Sequence, residues 1–504
     1  MTTIAMLLQT GEMPRVAQPA IVAVAMLYFG VVAAIGAWAT RRTRTANDFF
    51  VAGEGIGLFA LTLAAMSATL SGFAFIGGPG LVYRGGLGAM FLVLPAAVTA
   101  SMTSWVLAKR MRLLGEVRGL ITVPDAIGVR YRSPLAQGLS GAAILIAVIG
   151  YMATNLLALG LVIDAIFGTG LTVGVWIGMA VVLGYSVAGG ILAGVYTDVF
   201  QGSLMAVASV LVFLYTLKVG GGMGGMSRTI MAADQSFLSP FGAMGPGAAM
   251  SLFFVFGVGS MGQPHVIHKF YMLRDPRKLK WYPLLVTLAL IVTMLLYFGV
   301  GVVVKALTVS GRLAPLASPD DATPVFLLRF TPVLLAALVF SGVAAAIMST
   351  VNSFMNIGAA AVTHDIPVAL GRRVQNELRW GRIATVVISV AAAGLALLPG
   401  ALVAFLGIFG WGLFASTLVP ALAIGLNWEG ATKEGAVASM SVGILVTLLF
   451  ETLAYFKVYS FPTGVTVSGL SLVLSILVFF GVSWLTGRRA AAEIDPDVKL
   501  VMAV

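Results

Sequence analysis

Long apolar runs alternate along this chain with short polar connections. A helix needs about twenty apolar residues to cross the hydrocarbon core of a bilayer. The pattern therefore predicts an all-α integral membrane protein with about thirteen transmembrane helices. The predicted spans are Ala20–Thr40, Gly57–Gly80, Leu87–Ala108, Pro134–Phe167, Leu171–Leu192, Val195–Lys218, Ala248–His268, Pro283–Ala306, Pro332–Thr363, Ile383–Leu398, Ala401–Asn427, Gly435–Tyr455 and Val467–Thr486.

The second span carries SATLSGFAFIGGPG at Ser67–Gly80, a stretch that interrupts a helix. Its four glycines lower helix propensity and Pro79 removes a backbone donor, so carbonyl groups can leave the helical ladder. Free backbone at membrane depth is tolerated only where it is buried or lines a cavity. The break therefore predicts a binding site near the midplane, and a glycine-rich packing face or a proline kink is the alternative.

The seventh span carries a second break of the same kind, FFVFGVGSMGQPH, with three glycines and Pro264. Five spans belong to each half, the second to sixth and the seventh to eleventh. An odd number of helices per repeat inverts the second half in the membrane. Two broken helices at the head of two inverted repeats are typical of secondary transporters.

Composition and charge agree with a membrane protein. With 59% hydrophobic and 10% charged residues, the chain is not a soluble globule. Most Lys and Arg fall in alternate loops, which predicts an outside N-terminus, a cytoplasmic C-terminus and a place in the cell inner membrane. This asymmetry explains the net charge of +11 without nucleic acid as a partner.

Catalytic and metal chemistry find little support in the sequence. The chain has no cysteine, so it has neither a disulfide framework nor a thiolate metal site. His265, His268 and Asp365 lie alone at span ends and form no recognisable nucleophile–base set. We therefore expect no enzyme activity.

Four segments together resemble the sodium:solute symporter family, which includes proline, pantothenate and sugar symporters. They are SGFAFIGGPGLVY, YSVAGGILAGVYTDVFQG, GQPHVIHKF and AAAIMSTVNSFMNIGAAAVTHDI. The resemblance covers about Asn47 to Gly435. It implies the leucine-transporter fold, with one added N-terminal helix and two added C-terminal helices, and sodium-coupled uptake by alternating access.

The resemblance and the span pattern together divide the chain into six segments. Residues 1–56 hold a periplasmic N-terminus, the extra first helix and a cytoplasmic loop, and 57–218 form the first repeat. Residues 219–247 are expected as an external glycine-rich loop, and 248–428 as the inverted second repeat. The two C-terminal helices fill 429–487, and 488–504 form a cytoplasmic tail.

A sodium site is expected on the ninth span. Ala346, Ser349 and Thr350 can offer one carbonyl and two hydroxyl oxygens from one helix face, a set suited to dehydrated Na⁺. Hydroxyls that only bond back to the helix are the alternative. The family places its sodium here, and the resemblance adds the carbonyls of Ser67 and Leu70. Na⁺ is therefore the expected coupling ion.

The stretch GGILAGVYTDVFQG predicts a tight inside turn of Gly189, Gly190 and Gly194, with Asp198 in the first turns of the next helix. There Asp198 is either a helix-start cap or a waypoint for a departing cation. The resemblance implies the second role, since the matching aspartate of the family lies on the inward ion path.

The organic solute is expected between the two breaks and the fourth span. The resemblance points to a set of nine residues: Thr69, Ser71, Gly72, Tyr151, Asn155, Phe256, Ser260, Gln263 and Pro264. Thr69, Phe256 and Ser260 depart from the proline symporters, which counts against proline. We expect a small carboxylate-bearing solute, such as a monocarboxylate, pantothenate or an amino acid, in preference to a bare sugar.

Three other functions remain open at this stage. A proton-coupled symporter would differ in the driving ion. A membrane sensor module calls for a kinase domain, and only a short segment follows Thr486. A channel calls for a continuous pore, whereas two unwound helices suit alternating access. The expected partners are a small solute and the lipid bilayer, with no obligatory protein partner evident.

Overall fold

The computed structural model describes residues 19–41, 56–399, 402–459, 461, 464–487 and 494–504. The predicted periplasmic end at 1–18, most of the first cytoplasmic loop and the tail residues 488–493 lie outside this part. The described residues are helical apart from turns and one parallel bridge between Ile56 and Leu273. The helices are α1 Pro19–Thr40, α2 Leu58–Thr69, α3 Gly78–Gly85, α4 Met90–Thr103, α5 Lys109–Arg118, α6 Val123–Tyr131, α7 Pro134–Phe167, α8 Leu171–Gly220, α9 Gly222–Met231, α10 Gly245–Gly259, α11 Pro264–Ile267, α12 Tyr282–Val309, α13 Ala322–Phe330, α14 Val333–Ala360, α15 Ile366–Ala369, α16 Glu377–Ala396, α17 Val403–Leu418, α18 Lys433–Tyr455, α19 Val467–Thr486 and α20 Pro496–Met502.

The number of spans is close to the predicted thirteen. Among the described residues, ten helices are long and apolar enough to cross a membrane, and eleven when the bent pair around the first break counts as one. Leu171–Gly184 is a shorter apolar helix. The predicted third span, Leu87–Ala108, is α4 extended by a wide helical turn at Ser104–Ala108. The count of thirteen is therefore approximate.

The predicted fifth and sixth spans, Leu171–Leu192 and Val195–Lys218, lie in one continuous helical run, α8, whose apolar parts are Leu171–Gly184 and Gly194–Gly220. Helix continues through the predicted glycine turn between them, so the predicted turn is wrong. The run nevertheless bends, because Ser186 and Gly194 both contact the side chain of Asn352. A straight helix would hold residues eight positions apart at about 12 Å.

The segment 219–247, which was predicted as an external loop, contains more helix than predicted. It contains α9 and two short 3₁₀ turns, Gln235–Leu238 and Gly242–Met244. Gly221 and Gly222 have φ of 73° and 78°, a conformation that side chains disfavour, which lets the chain turn between α8 and α9. The glycines therefore make the turn, and the residues after it form a helix.

Burial separates the inner helices from the outer ones. Most of α7, α14 and α17 lies inside the protein, whereas α1, α10, α18 and α19 are largely exposed on its surface. Polar side chains on the inner helices therefore face protein and not lipid. Five of the predicted ion and solute residues lie on two of these inner helices: Tyr151 and Asn155 on α7, and Ala346, Ser349 and Thr350 on α14.

Candidate ion and solute site

The first break is a sharp bend after α2. The two limbs of the broken span meet at 58°. Between them Leu70 leaves helical geometry, with φ −89° and ψ 88°, and a wide helical turn follows at Phe73–Gly77. A Cβ at Gly72 would lie 2.5 Å from that of Ala158, so only glycine fits against α7 here.

Side chains of the protein satisfy the amides that this break exposes. Gly72 N donates to Asn155 Oδ1 at 2.9 Å, and Phe73 N donates to Ser71 Oγ at 3.2 Å. The Ser71 hydroxyl lies 3.3 Å from the Tyr151 hydroxyl. Asn155 also donates to the carbonyl of Tyr151 at 2.9 Å. The predicted pair Tyr151 and Asn155 therefore holds the break in shape.

The second break is shorter and less completely satisfied. Helix α10 passes into a 3₁₀ turn, Ser260–Gly262, and Gln263 is extended before α11 starts at Pro264. The Gln263 amide donates to Gly259 O at 2.9 Å and Trp411 O at 3.4 Å. Its Oε1 is buried and has no hydrogen-bond partner among the described residues. The second break therefore offers an acceptor to a bound molecule.

Three of the five predicted sodium ligands, Ser67, Ala346 and Thr350, come together where α2 meets α14. Thr350 Oγ1 lies 3.1 Å from Ala346 O and 3.5 Å from Ser67 O. It also lies 3.1 Å from Ala68 O, a carbonyl that the sequence argument left out. Leu70, the remaining predicted carbonyl ligand of this segment, is the first residue after α2.

Ser349 directly precedes Thr350 on α14, and its hydroxyl lies beside the Asp198 carboxylate. Its side chain is fully buried, and its Oγ has no hydrogen-bond partner of normal geometry among the described residues. A buried hydroxyl is rarely left without a partner, so an unbonded one calls for a water or an ion. Neutral, closely spaced oxygens fit a monovalent hard cation such as Na⁺.

Asp198 lies in the middle of α8 and forms a buried ion pair. Its Oδ2 lies 3.0 Å from Lys269 Nζ, with side-chain exposures of 0% and 2%. Lys269 also donates to Ser353 Oγ at 3.5 Å. The alternative that Asp198 caps a helix start is therefore wrong, because no helix starts there and the carboxylate faces a lysine.

Lys269 is a residue whose role the sequence argument missed. In sequence it belongs to the basic residues at the inner end of the seventh span, which were assigned to a cytoplasmic loop. The second break sets this segment back into the bundle, where Lys269 is 1% exposed. Asp198 Oδ1 and Ser349 Oγ next to it remain without normal hydrogen bonds in the described part. Ser349, one of the predicted sodium ligands, therefore lies in the surroundings of Asp198.

Two small cavities lie between the breaks and share Thr69 and Trp411. The apolar cavity has a volume of about 30 Å³ and the polar cavity about 20 Å³. The apolar cavity is lined by Thr69, Leu70, Phe73, Ala74, Leu92, Val93, Tyr151, Phe256, Leu290, Met294 and Trp411. The polar cavity is lined by Thr69, Thr103, Ser260, Gln263, Val266, Tyr282, Val286 and Trp411.

Of the nine predicted solute residues, five line these cavities: Thr69, Tyr151, Phe256, Ser260 and Gln263. The other four, Ser71, Gly72, Asn155 and Pro264, are not among the lining residues. Ser71, Gly72 and Asn155 hold the first break, and Pro264 opens α11.

An aromatic stack forms one wall of the apolar cavity. Phe73 and Phe256 stack at 5.8 Å, and Phe256 and Trp411 at 4.9 Å. The sequence argument missed Trp411, which lies in an apolar run of α17. Its neighbour Gly410 packs against Tyr151. A glycine beside a tryptophan in an apolar helix could therefore have indicated close packing at this position.

Asp365 is not alone, contrary to the prediction. It belongs to a cluster with Asp125 and His364 at the inner end of α14. Asp125 accepts from His364 Nε2 at 3.0 Å, and Asp365 accepts from Thr122 at 2.6 Å. Because these contacts join α6 to the end of α14, we interpret the cluster as a clamp between the two helices.

On the outer side, the segment before α13 packs on the first break and on α17. Thr323 donates to Phe75 O at 2.7 Å, and Asp320 accepts from Val403 N at 3.0 Å. Burial raises the pKa of Asp320 to about 6. Hydrogen bonds from the segment before α13 thus connect the start of α17 to the first break.

Comparison with known proteins agrees with this architecture. Residues 49–443 match the sodium:solute symporter family. The osmoregulated proline transporter OpuE of Bacillus subtilis is 30% identical over 473 residues, 93% of this chain and 95% of the relative. The sodium/pantothenate symporter of Escherichia coli is 25% identical over 488 residues, 93% of this chain and 96% of the relative.

A solved structure confirms the fold. The substrate-bound, outward-open state of a Na⁺-coupled sialic acid symporter matches with a TM-score of 0.75 at 17% identity, covering 93% of this chain and 98% of that one. The predicted all-α fold of the leucine-transporter type is therefore correct. The family match spans most of the sequence and both helix breaks, and the chain belongs to the sodium:solute symporter family.

Proposed function

We propose that this protein carries a small, carboxylate-bearing organic solute into the cell together with Na⁺, by alternating access. The observation that carries the proposal is the position of the two breaks. They flank a pair of small cavities, and the neutral oxygen cluster of Ser67, Ala346 and Thr350 lies beside the first of them. Cavities between two broken helices suit a carrier better than a continuous pore does.

The cavity pair favours an amphipathic solute. The aromatic stack can contact an apolar body. The hydroxyls of Thr103 and Ser260 lie 3.1 Å apart in the polar cavity and would turn from Thr99 O and Gly257 O to donate to a carboxylate there. Gln263 Oε1 can accept from an N–H or O–H of the same solute. No Lys, Arg, Asp or Glu lines either cavity in the described part, so a bound Na⁺ nearby would supply the attraction for the anion.

The amides of the first break contribute less to anion binding than expected. Gly72 N and Phe73 N already donate to Asn155 and Ser71. A carboxylate is therefore expected at the second break and the polar cavity. Two of the relatives are a proline transporter and a sodium/pantothenate symporter, and both of these solutes bear a carboxylate.

Asp198 is proposed as the next contact of the ion on its way inward. The carboxylate is fully buried, close to Ser349, and already paired with Lys269. A departing Na⁺ must then compete with the lysine for this carboxylate. Release is helped by that competition, because a buried carboxylate without a partner would hold a cation tightly.

Transport by purified protein in lipid vesicles tests the proposal. The solutes to be compared are labelled proline, pantothenate, a short monocarboxylate and glucose. An inward Na⁺ gradient should drive accumulation of at least one carboxylate. Accumulation driven by a pH gradient in sodium-free vesicles would favour proton coupling instead. Accumulation of glucose alone would contradict the carboxylate assignment.

Thermal unfolding narrows the search for the solute. The protein is heated with each member of a solute library, with and without Na⁺. A carboxylate should raise the unfolding temperature only when Na⁺ is present. If sugars alone stabilise the protein, the proposed solute class is wrong.

The absence of cysteine allows a direct test of orientation. A single cysteine replaces Ser227 on α9, and another replaces Arg372 after α15 in a separate variant. With the N-terminus outside, a membrane-impermeant thiol reagent on intact cells should label the first variant and not the second. The reverse result would invert the proposed topology.

A further inference from the structure

A second, larger cavity lies at the inner ends of α4 and α12, away from the solute site. Its volume is about 420 Å³. Four cationic side chains, Lys109, Arg110, Arg277 and Lys280, line it together with Ser104, Trp105, Leu279, Pro283 and Val504. No Asp or Glu of the described residues lines it. Even with the terminal carboxylate of Val504 counted, the four cations give the cavity a net positive charge at the predicted cytoplasmic surface.

Arg110 is only partly satisfied in this cavity. Its two terminal nitrogens donate to Val106 O at 3.3 Å and Met502 O at 3.2 Å. The remaining Nε is buried and has no hydrogen-bond partner among the described residues. An unbonded guanidinium nitrogen beside three further cations calls for an anionic acceptor with several oxygens.

An apolar strip leads from the cavity toward the membrane interior. On α4 and the turn after it, Val98, Met102 and Trp105 are 60%, 43% and 74% exposed. On α12, Leu284 and Leu288 are 53% and 52% exposed. The spacing of three and four residues places each set on one helix face. A phosphate bound in the cavity would therefore continue directly into a surface that suits acyl chains.

We propose that this cavity binds the headgroup of an anionic phospholipid from the cytoplasmic leaflet, with its acyl chains on the apolar strip. Arginine and lysine are the common ligands of phosphate groups, and basic pockets on the cytoplasmic side of transmembrane helices suit such headgroups. Trp105 lies at the junction, as aromatic residues do at membrane interfaces. Free phosphate would use the cations but not the strip.

The position of the site connects the lipid to transport. Helix α4 contributes Leu92, Val93 and Thr103 to the solute cavities, and α12 contributes Tyr282 and Met294 among others. The proposed lipid bridges the inner ends of the same two helices. It therefore stabilises one arrangement of the cavity walls, whichever solute is carried.

Lipid retention tests the proposal with a matched pair of variants. Arg277→Gln/Lys280→Gln removes two charges from the cavity, and Arg372→Gln/Arg373→Gln removes two from another inner loop. Each protein is equilibrated with detergent micelles containing phosphatidylglycerol or phosphatidylcholine, and bound lipid is counted by native mass spectrometry. The first variant should bind phosphatidylglycerol about tenfold more weakly than the wild type, and the control should bind as the wild type does. Equal retention by the two variants would overturn the proposal.

Two further measurements distinguish a lipid from a free anion. Trp105→Ala removes apolar contact and keeps every charge, so it should weaken retention of phosphatidylglycerol by a few-fold. Inorganic phosphate should stabilise the protein less than phosphatidylglycerol at equal concentration of phosphate groups. If inorganic phosphate stabilises it equally and Trp105→Ala has no effect, the cavity is an anion site and not a lipid site.

Discussion

The two helix breaks expose similar backbone, and they differ in what satisfies it. At the first break, Asn155 Oδ1 accepts a hydrogen bond from Gly72 N, and Ser71 Oγ accepts one from Phe73 N. At the second, the side-chain nitrogen of Gln263 donates to Gly259 O, while its side-chain oxygen has no hydrogen-bond partner among the described residues. Similar glycine-rich sequences thus form two different bends. At the first break the backbone amides have acceptors, and at the second a side-chain oxygen has no donor.

This difference separates two tasks of the proposed site. A satisfied break is rigid, so it can present the carbonyls of α2 to an ion at fixed spacing beside Thr350. A break with an unused acceptor is suited to a molecule that comes and goes. We therefore expect changes at the first break to affect stability and ion binding, and changes at the second to affect solute binding.

The largest expected effect is on the ion pair behind the second break. Lys269→Met leaves the Asp198 carboxylate buried without its partner, which should lower the free energy of unfolding by about 3–5 kcal/mol. Lys269→Met/Asp198→Asn should recover most of this loss, as measured by chemical or thermal unfolding. Lys305→Met is the control, because its pair with Asp234 is partly exposed and should contribute less than about 1 kcal/mol.

Transport measurements on the same pair test its proposed role with the ion. Asp198→Asn/Lys269→Met should fold, yet its turnover should fall more than its solute affinity does. If turnover and affinity stay at wild-type values in this folded double variant, the pair is structural and the ion does not use Asp198.

The next effect concerns the oxygen cluster at the first break. Ser349→Ala/Thr350→Ala removes two proposed ligands, and at about 1.4 kcal/mol each the sodium concentration for half-maximal uptake should rise on the order of 100-fold. Solute affinity at saturating Na⁺ should change little. If the sodium dependence of uptake is unchanged in this variant, Na⁺ does not bind at this cluster. Ser341→Ala serves as the control, since its hydroxyl bonds back to Ala337 O higher on α14.

A third prediction compares the two breaks directly. Asn155→Leu deprives Gly72 N of its acceptor, so the free energy of unfolding should fall by about 1–3 kcal/mol. Gln263→Met removes an oxygen that has no partner among the described residues, together with the amide donor to Gly259 O and Trp411 O, so solute affinity should fall about tenfold. Both variants should lose stability, and only Gln263→Met should lose solute affinity to this extent. A larger stability loss in Gln263→Met, with solute affinity unchanged, would reverse the assignment of tasks.

The smallest expected effect is a pH dependence on the outer side of the first break. The pKa of Asp320 in the folded protein is raised to about 6, so folding favours its protonated form. Its contribution to stability is then complete below pH of about 4 and is lost as pH rises through about 6. The side chain in Asp320→Asn cannot ionise. The unfolding temperature of this variant should therefore change with pH by about 1–2 °C less than that of the wild type. Identical pH profiles for the variant and the wild type would contradict it.

Much of this protein follows from the sequence by itself. The lengths of the apolar runs set the helical class, because a bilayer leaves the backbone few other ways to satisfy its hydrogen bonds. Glycine and proline within two of these runs marked both breaks, since they weaken or remove helical hydrogen bonds. The spacing of Ala346, Ser349 and Thr350 placed three oxygens on one face of one helix, which needs no knowledge of any other helix.

The tertiary structure alone decided what those groups meet. Lys269 is a surface cation by its sequence and half of a buried ion pair by its position. Trp411 and Phe256 are more than 150 residues apart in the chain and stack at 4.9 Å. In the sequence Asn155 is one polar residue in an apolar helix, and in the structure it accepts a hydrogen bond from Gly72 N. Such contacts depend on how helices from distant parts of the chain pack, and the periodicity of a single helix carries no information about its neighbours.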